Sequence, residues 1–348
     1  MSQCEKCTSV PCLDYHQQHV YISFGVQHLY QKIEQLLSVT SYCKESYPGY
    51  LRYQVEDFPS FVRHLDQSGL FSSVEKKDIY LLPLAKDVEL SYSHFPMVHD
   101  LNYWTYLFDH EDVIEALEHE RIQTLFQPIL HNKSLEVYAH ESLSRAYTQK
   151  GELIGAGRLF SAGKKLGLSF NLDRQCRINA IRTAGRTSGF CGKLFINFIP
   201  SVIYDPKVCL QSTHEVIAET GLRPEDIVFE VVESDFVDDY EHLATILNHY
   251  RDKGYQTALD DVGSGYSTLS KFEILNTDYI KVDMGVIAQI HKSSSAQAYL
   301  NQILELKKKT GVKIIAEGIE EQEVYEYIKN TEVDFLQGYL FARPKEGF

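Results

Sequence analysis

The chain has 348 residues, of which 44% are hydrophobic and 24% are charged, a composition that supports a normal core in one large or two smaller domains. Its formal net charge of −14 argues against a protein that holds duplex nucleic acid, because that role needs a basic surface. No apolar run approaches the roughly 18 residues of a membrane span, and the first residues lack a signal-peptide pattern, so we expect a cytoplasmic protein without a membrane segment.

The first 110 residues predict a small α/β domain. Apolar residues mark three short strand-like runs and recur at helical spacing in two others. We expect strands at His19–Phe24, Tyr50–Val55 and Asp78–Leu84, and helices at Val26–Leu37 and Pro59–Leu70. Because this region has many aromatic residues and no recognisable catalytic cluster, we interpret residues 1–110 as a regulatory domain.

Three cysteines, Cys4, Cys7 and Cys12, lie close together at the start of the chain. The chain has 7 cysteines in total, an odd number without a dense framework, which favours reduced thiols. Three interpretations of this cluster remain open: free thiols, a redox pair, or a zinc site that His16 completes.

From about Val113 onward, strands and helices alternate as they do in a barrel. Eight strands in roughly 230 residues fit a (β/α)8 barrel. An open doubly wound sheet is the alternative, although no Gly-x-Gly-x-x-Gly turn follows the first strand. The predicted strands are Thr124–Leu130, Leu135–Leu143, Lys193–Phe198, Ile227–Val232, Gln256–Asp261, Asp278–Val282, Val312–Ala316 and Asp334–Tyr339.

Carboxylate and carboxamide side chains stand at the predicted ends of several of these strands. The strand ends of a parallel barrel converge on one face, where acidic groups repel one another unless a cation lies among them. Oxygen ligands without His or Cys point to Mg²⁺ or Mn²⁺ rather than Zn²⁺, and two adjacent aspartates suit a bridged pair of ions. The residues are Glu141, Asn197, Glu230, Asp260, Asp261 and Glu317.

The ordered motifs of residues 111–348 resemble those of the bacterial EAL domain family. They are Phe126-Gln127-Pro128-Ile129, Glu141-Ser142-Leu143 in place of the naming Glu-Ala-Leu, Asn197, Glu230-Val231-Val232-Glu233-Ser234, Asp260-Asp261-Val262-Gly263-Ser264-Gly265-Tyr266-Ser267, Asp278-Tyr279-Ile280-Lys281-Val282-Asp283, Ala316-Glu317-Gly318-Ile319-Glu320 and Gln337-Gly338-Tyr339. The resemblance implies a (β/α)8 barrel in which one strand is antiparallel. It also implies a phosphodiesterase that hydrolyses cyclic di-GMP to linear pGpG and forms a homodimer through the barrel. Because the N-terminal domain lacks a catalytic set, we expect it to control this activity.

The resemblance also implies roles for individual residues. Glu141, Asn197, Glu230 and Asp260 would hold a first Mg²⁺ or Mn²⁺ ion, and Asp260 and Asp261 a second. Glu317 would accept a proton from the attacking water or ligate the second ion, and Lys281 would orient that water and stabilise charge on the phosphate. Substrate contacts would come from Gln127, Leu143, Arg145 and Gln337, whereas Glu233 would couple the dimer interface to the Asp260-Asp261 loop.

Several departures and alternatives accompany this interpretation. Ser142, Val262, Ser264 and Gly163-Lys164 replace the residues that are usual in the family, but none of the metal or base positions is lost. Considered without the other motifs, Lys281 fits a solvated lysine at a strand end, and Arg145 fits an ion pair with Asp173. A domain that only binds cyclic di-GMP or a protein partner is the main alternative function, and an unrelated barrel enzyme is a third.

Overall fold

Two units make up the part of the chain that the structure describes. The structure is a computed structural model, and it describes residues 10–11, 15–38, 42–232, 240–263 and 270–348. One unit contains Val10–Glu118 with Ser161–Leu168, and the other contains His119–Phe160 with Ser169–Phe348. Four residues with predicted roles, Cys4, Cys7, Cys12 and Glu233, lie outside the described residues.

The first unit is built on an antiparallel sheet. Its strands are β1 (His16–Phe24), β2 (Cys43–Tyr47), β3 (Tyr50–Asp57), β4 (Ile79–Ala85) and β5 (His99–Asp100). They are ordered β2-β3-β1-β4-β5, and every neighbouring pair is antiparallel. The small α/β domain is therefore confirmed, with β2 and β5 added to the strands that the sequence predicts.

Strand periodicity divides this sheet into two different faces. Val20 and Ile22 are fully buried, whereas Tyr21 and Ser23 point to the opposite face because neighbouring residues alternate along a strand. Two helices, α1 (Gln27–Leu37) and α2 (Phe58–Gln67), contact the sheet and bury their own apolar residues. The unit continues into α3 (Leu101–Asp109) and α4 (Glu111–Glu118).

The second unit is a closed barrel of eight strands. Its strands are β6 (Ile122–His131), β7 (Val137–Tyr147), β9 (Lys193–Asn197), β10 (Ile227–Val232), β11 (Gln256–Val262), β12 (Tyr279–Val282), β13 (Lys313–Ala316) and β14 (Phe335–Leu336), and the short β8 (Leu153–Ile154) pairs with β7. The barrel closes because β6 pairs with both β7 and β14. These two pairings are antiparallel and the other pairings around the barrel are parallel, so the predicted barrel with one antiparallel strand is confirmed.

Helices lie between most of the barrel strands. The described ones are α5 (Ala156–Lys165), α6 (Ser169–Arg186), α7 (Pro206–Cys209), α8 (Gln211–Thr220), α9 (Tyr240–Asp252), α10 (Ser270–Leu275), α11 (Met284–Ile287), α12 (Ser294–Thr310) and α13 (Gln322–Ile328). The buried apolar residues of most of these helices, α5 excepted, join the outward-facing residues of the strands in one core. Within the described ranges, none of the helices combines the length and the apolar character that a membrane span requires.

A single apolar layer fills the barrel interior. Each of the eight strands contributes one buried side chain to it. The layer consists of Ile129, Ala139, Phe195, Val228, Ala258, Tyr279, Ile315 and Phe335. It forms the floor beneath the polar end of the barrel.

Candidate active site

Eight polar side chains form a ring next to the apolar layer. Side chains two residues apart on a strand point to the same face, so the residue two positions beyond the layer on each parallel strand faces the barrel axis. On the antiparallel strand β6 the corresponding residue lies two positions before the layer. The ring members are Gln127, Glu141, Asn197, Glu230, Asp260, Lys281, Glu317 and Gln337.

The ring corrects one part of the sequence analysis. Glu141 was predicted near the end of a strand Leu135–Leu143, but β7 continues to Tyr147 because its last residues pair with β6 and β8. Glu230, Asp260 and Lys281 also lie inside their strands. Only Asn197 ends a strand, and Glu317 and Gln337 directly follow one.

Lys281 lies at the centre of the acidic residues. Its Nζ is 2.8 Å from a Glu317 oxygen, 3.0 Å from Glu230 and 3.2 Å from Asp260. A Glu141 oxygen is 3.5 Å away, and the lysine side chain is only 1% exposed. The alternative of a solvated lysine is therefore wrong.

Amide side chains hold the carboxylates in place. Asn197 Nδ2 donates a hydrogen bond to Glu230 Oε1 at 2.8 Å and a longer one to Glu141 Oε1 at 3.5 Å. Gln337 Nε2 donates to the other Glu141 oxygen at 2.6 Å and to Gln127 Oε1 at 3.3 Å. Gln127 is fixed in turn, because its Nε2 donates to the Ala342 carbonyl oxygen at 3.1 Å.

A bulge brings two consecutive aspartates to the same site. Alternation along β11 would send Asp260 and Asp261 to opposite faces. The pairing register between β11 and β12 shifts between Leu259 and Val262, and Asp261 adopts a φ of 54°, which is unusual for a residue other than glycine. Backbone strain of this kind is concentrated at functional sites, and here it keeps the Asp261 carboxylate beside that of Asp260.

The acidic residues form two overlapping groups that fit divalent cations. One group is Glu141, Glu230 and Asp260, the other is Asp260, Asp261 and Glu317, and in each group one oxygen per residue lies within 4.8 Å of the others. Glu230 is fully buried, and its Oε2 faces the Lys281 ammonium group at 3.0 Å. All the donors are carboxylate oxygens, the ligand type that Mg²⁺ and Mn²⁺ prefer, so the residues present fit these ions.

Burial and the repulsion between neighbouring carboxylates shift the pKa values of the acidic residues in the site. Burial raises the pKa of the Glu230 carboxyl well above its usual value against the opposing effect of Lys281, and burial with the nearby Asp260 does the same for Glu317. Burial, with Asp260 adding to it, raises the pKa of Asp261 to about 6. Although burial alone would lower it, the pKa of Lys281 is held well above its usual value by the surrounding carboxylates. Perturbed groups of this kind are typical of active sites.

Two predicted substrate contacts lie on β7 beyond Glu141. Leu143 and Arg145 are both partly buried, and they pair across the hairpin with Leu125 and Gln123. Arg145 donates a hydrogen bond to the Ser144 carbonyl oxygen at 2.8 Å. Asp173, the alternative partner of Arg145, instead forms a buried ion pair with Arg177 at 2.7 Å.

Gly338 supports the ring in a way that the sequence analysis missed. A Cβ atom at this position would overlap the backbone of Ile319, which follows Glu317 by two residues. The two loops are joined there, because Ile319 N donates to the Gln337 carbonyl at 3.1 Å and Leu340 N donates to the Ile319 carbonyl at 3.0 Å. Gly338 thus allows the close approach that sets Glu317 beside Gln337. The Gln337-Gly338-Tyr339 motif was visible in the sequence, but the contact was not.

A closed barrel with an acidic ring at one end defines a class of barrel proteins with a candidate metal site, and the comparisons identify the family. Residues 110–344, more than half of the chain, match the family described as EAL domain. The chain therefore belongs to the EAL domain family.

Named relatives and solved structures agree with this assignment. The Cyclic di-GMP phosphodiesterase PdeF of Escherichia coli (strain K12) is 26% identical over 233 residues, which cover 66% of this chain and 31% of that protein. The chain thus matches about a third of that relative's length. A standalone versatile EAL protein from Vibrio cholerae O395, solved in a c-di-GMP bound form, is 33% identical with a TM-score of 0.58 and covers 65% of this chain and 92% of that one. The BlrP1 manganese/cy-diGMP complex of Klebsiella pneumoniae shares the fold, with 19% identity, a TM-score of 0.59 and coverage of 94% of this chain and 96% of that one.

Proposed function

We propose that this protein hydrolyses cyclic di-GMP to linear pGpG with the help of two Mg²⁺ or Mn²⁺ ions. The observation that carries the proposal is the pair of acidic groups that share Asp260. A shared carboxylate between two groups of hard oxygen ligands suits two-metal phosphodiester hydrolysis. A domain that binds only protein partners has no need of such a set.

The relatives supply the substrate class. PdeF is named for cyclic di-GMP hydrolysis, and the Vibrio cholerae structure contains c-di-GMP. The BlrP1 complex contains manganese together with the same nucleotide. Membership of the same family and the acidic ring of this chain make the same ligand the best candidate here.

In this proposal Glu141, Asn197, Glu230 and Asp260 hold the first ion, and Asp260 and Asp261 hold the second. The Nδ2 atom of Asn197 already donates to Glu230, so its Oδ1 is the atom left for a cation. When bound, the ions would act as Lewis acids on the phosphate and lower the pKa of the attacking water.

Glu317 and Lys281 carry the proton and charge chemistry. Glu317 accepts the proton of the attacking water, a role that its raised pKa favours, since a raised pKa makes the carboxylate a stronger base. Lys281 remains a cation at neutral pH because its pKa is raised. Its ammonium group therefore stabilises the negative charge that develops on the phosphate during the reaction.

Substrate binding falls to residues around the ring. The planar guanidinium of Arg145 can form paired hydrogen bonds with a phosphate, after giving up its bond to the Ser144 carbonyl. Leu143 offers an apolar contact, and Gln127 and Gln337 position the substrate and water. We further propose a barrel homodimer, coupled to the site through Glu233, and control of the reaction by residues 1–110.

The test is a product time course with purified protein, cyclic di-GMP and Mg²⁺ or Mn²⁺, with the nucleotides separated by chromatography. We expect pGpG to accumulate, excess EDTA to stop the reaction, and Ca²⁺ to support little of it because its bonds are longer and looser. Glu141→Gln should lose most of the activity. Glu136→Gln is the matched control, because Glu136 is exposed and lies outside the ring.

Two outcomes would contradict the proposal. Full activity in excess EDTA would exclude the metal mechanism. Tight binding of cyclic di-GMP without any pGpG would make the protein a receptor instead.

A further inference from the structure

A hollow lies on the sheet face of the first unit that points away from Val20 and Ile22. It has a volume of about 480 Å³, and all of its lining residues belong to this unit. Ligand pockets in proteins typically have about 300–1,000 Å³. The hollow is therefore large enough for a small molecule of two to three fused rings.

The strand register explains why the hollow exists. Ser23 on the central strand β1 lies directly opposite Tyr50 on β3 and directly opposite Tyr80 on β4. Directly opposed residues share a face of the sheet, so a small side chain stands between two rings. The next position on the same face pairs Tyr21 with Leu82, and both are nearly fully buried. Ser23 thus leaves a depression over an apolar floor.

An ordered segment forms the wall of the hollow. Tyr92–Met97 is a short 3-10 helix whose start is capped, because Ser91 N donates to His94 Nδ1 at 3.1 Å. The rings of Tyr92 and Phe95 are stacked with centroids 6.0 Å apart, and both rings line the hollow. Tyr92 is nevertheless 90% exposed and Phe95 70% exposed, so both rings at the edge of the hollow are largely accessible to solvent.

The lining defines the chemistry of a ligand. Among the described residues, those that line it are tyrosine, phenylalanine, leucine, valine, glycine and serine, whereas Arg52, directly opposite Tyr21 on β3, bonds to Tyr21 and is not part of the lining. Aromatic walls favour a flat ring that stacks on them, and an uncharged lining disfavours an ion. The hydroxyl groups of Tyr50, Tyr80 and Tyr92 and of the two serines can orient a ligand by hydrogen bonds, whereas Tyr21 bonds to Arg52.

From this geometry we propose that the hollow is a binding site for a small, uncharged, planar aromatic molecule, separate from the barrel site. The hollow is concave and exists because one small residue, Ser23, lies between two tyrosines. This shape favours a small-molecule ligand over a protein partner. The proposal concerns binding in the first unit and does not depend on hydrolysis in the barrel.

The test uses the full chain and 1-aminoanthracene, an uncharged fluorescent compound with three fused rings. We expect saturable binding with a stoichiometry of about one and a blue shift of the emission. Ser23→Phe should fill the hollow and weaken binding by about tenfold or more, whereas Ser23→Ala keeps the space and should stay within about threefold of the original protein.

A second variant keeps the test valid if Ser23→Phe does not fold. Tyr92→Ala with Phe95→Ala removes two exposed rings outside the core, and we expect binding about tenfold weaker. The matched control is Tyr204→Ala, because Tyr204 is 64% exposed and lies outside the hollow. It should leave the affinity unchanged.

Three results would overturn the proposal. The first is the absence of saturable binding for both 1-aminoanthracene and the smaller indole. The second is equal affinity in all variants, which would indicate adsorption elsewhere on the surface. The third is a dimer in sedimentation analysis that the double substitution dissociates, without probe binding, because the face would then be an interface between copies.

Discussion

Removing the positive charge of Lys281 should destabilise the metal-free protein strongly. Its ammonium group lies within 2.8–3.5 Å of oxygens from four carboxylates, and its side chain is 1% exposed. Lys281→Met keeps most of the volume but leaves these carboxylates without their buried cation. Breaking a buried ion pair by removing one partner costs about 3–5 kcal/mol, and we expect a loss of this size in the free energy of unfolding.

The assay is urea unfolding at neutral pH in EDTA and again in excess Mg²⁺. We expect the loss in EDTA to shrink when Mg²⁺ is added, because the ion binds the folded state and neutralises the same carboxylates. The loss should also shrink in acid, where the carboxylates become protonated. Lys292→Met is the control, because Lys292 is exposed and should change stability by about 0.5 kcal/mol or less.

If Lys281→Met lowers the free energy of unfolding in EDTA by less than about 1 kcal/mol, and Mg²⁺ does not change this loss, the reasoning is refuted. It would mean that the carboxylates do not depend on Lys281 for charge balance in the folded state.

Three further predictions concern individual residues of the site. Glu317→Gln should slow hydrolysis by about 10²–10⁴-fold, while calorimetric affinity for cyclic di-GMP changes far less; near-normal turnover would remove Glu317 from the mechanism. Asp261 has a pKa raised from 3.8 to about 6 in the folded state, so it binds a proton more tightly there and its contribution to stability is lost as the pH rises through this window. In EDTA, Asp261→Asn should therefore gain stability relative to the original protein between these pH values, and a flat difference would contradict the assignment. Gly338→Ala should lower the unfolding temperature and the activity together, because its Cβ overlaps the Ile319 backbone; an unchanged protein in both assays would show that the loops separate freely.

The sequence predicted the barrel well because its signals are local. All eight strands were found near their observed positions, since each is a short apolar run that polar segments interrupt. The presence of one antiparallel strand was predicted only from the resemblance to the EAL domain family, because strand direction depends on pairing partners that no local pattern reveals. The structure identifies that strand as β6.

Polar or paired segments were harder to predict. Strand β2 has the sequence Cys-Lys-Glu-Ser-Tyr, which lacks the apolar alternation of a half-buried strand, and it forms as a hairpin partner of β3. The end of β7 was missed for a related reason. The chain beyond Leu143 stays extended because β6 and β8 pair with it, whereas the apolar run that predicts the strand ends at Leu143.

The chemistry of the ring was predictable, but its internal contacts were not. Carboxylates at regular positions on separate strands are enough, from the sequence alone, to indicate a hard-metal site. That Lys281 contacts four of them, and that Gln337 donates to Glu141, depends on side-chain positions inside the closed barrel. The bulge that turns Asp261 toward Asp260 likewise arises from the pairing of two strands.

The most direct test of the central claim is to count the Mn²⁺ ions that the protein binds. Equilibrium dialysis with the original protein should give about two ions per chain, as the two overlapping groups require. Asp260→Asn removes the carboxylate that both groups share and should therefore weaken binding of both ions. An unchanged count and affinity in Asp260→Asn, or no Mn²⁺ bound by the original protein, would contradict the account.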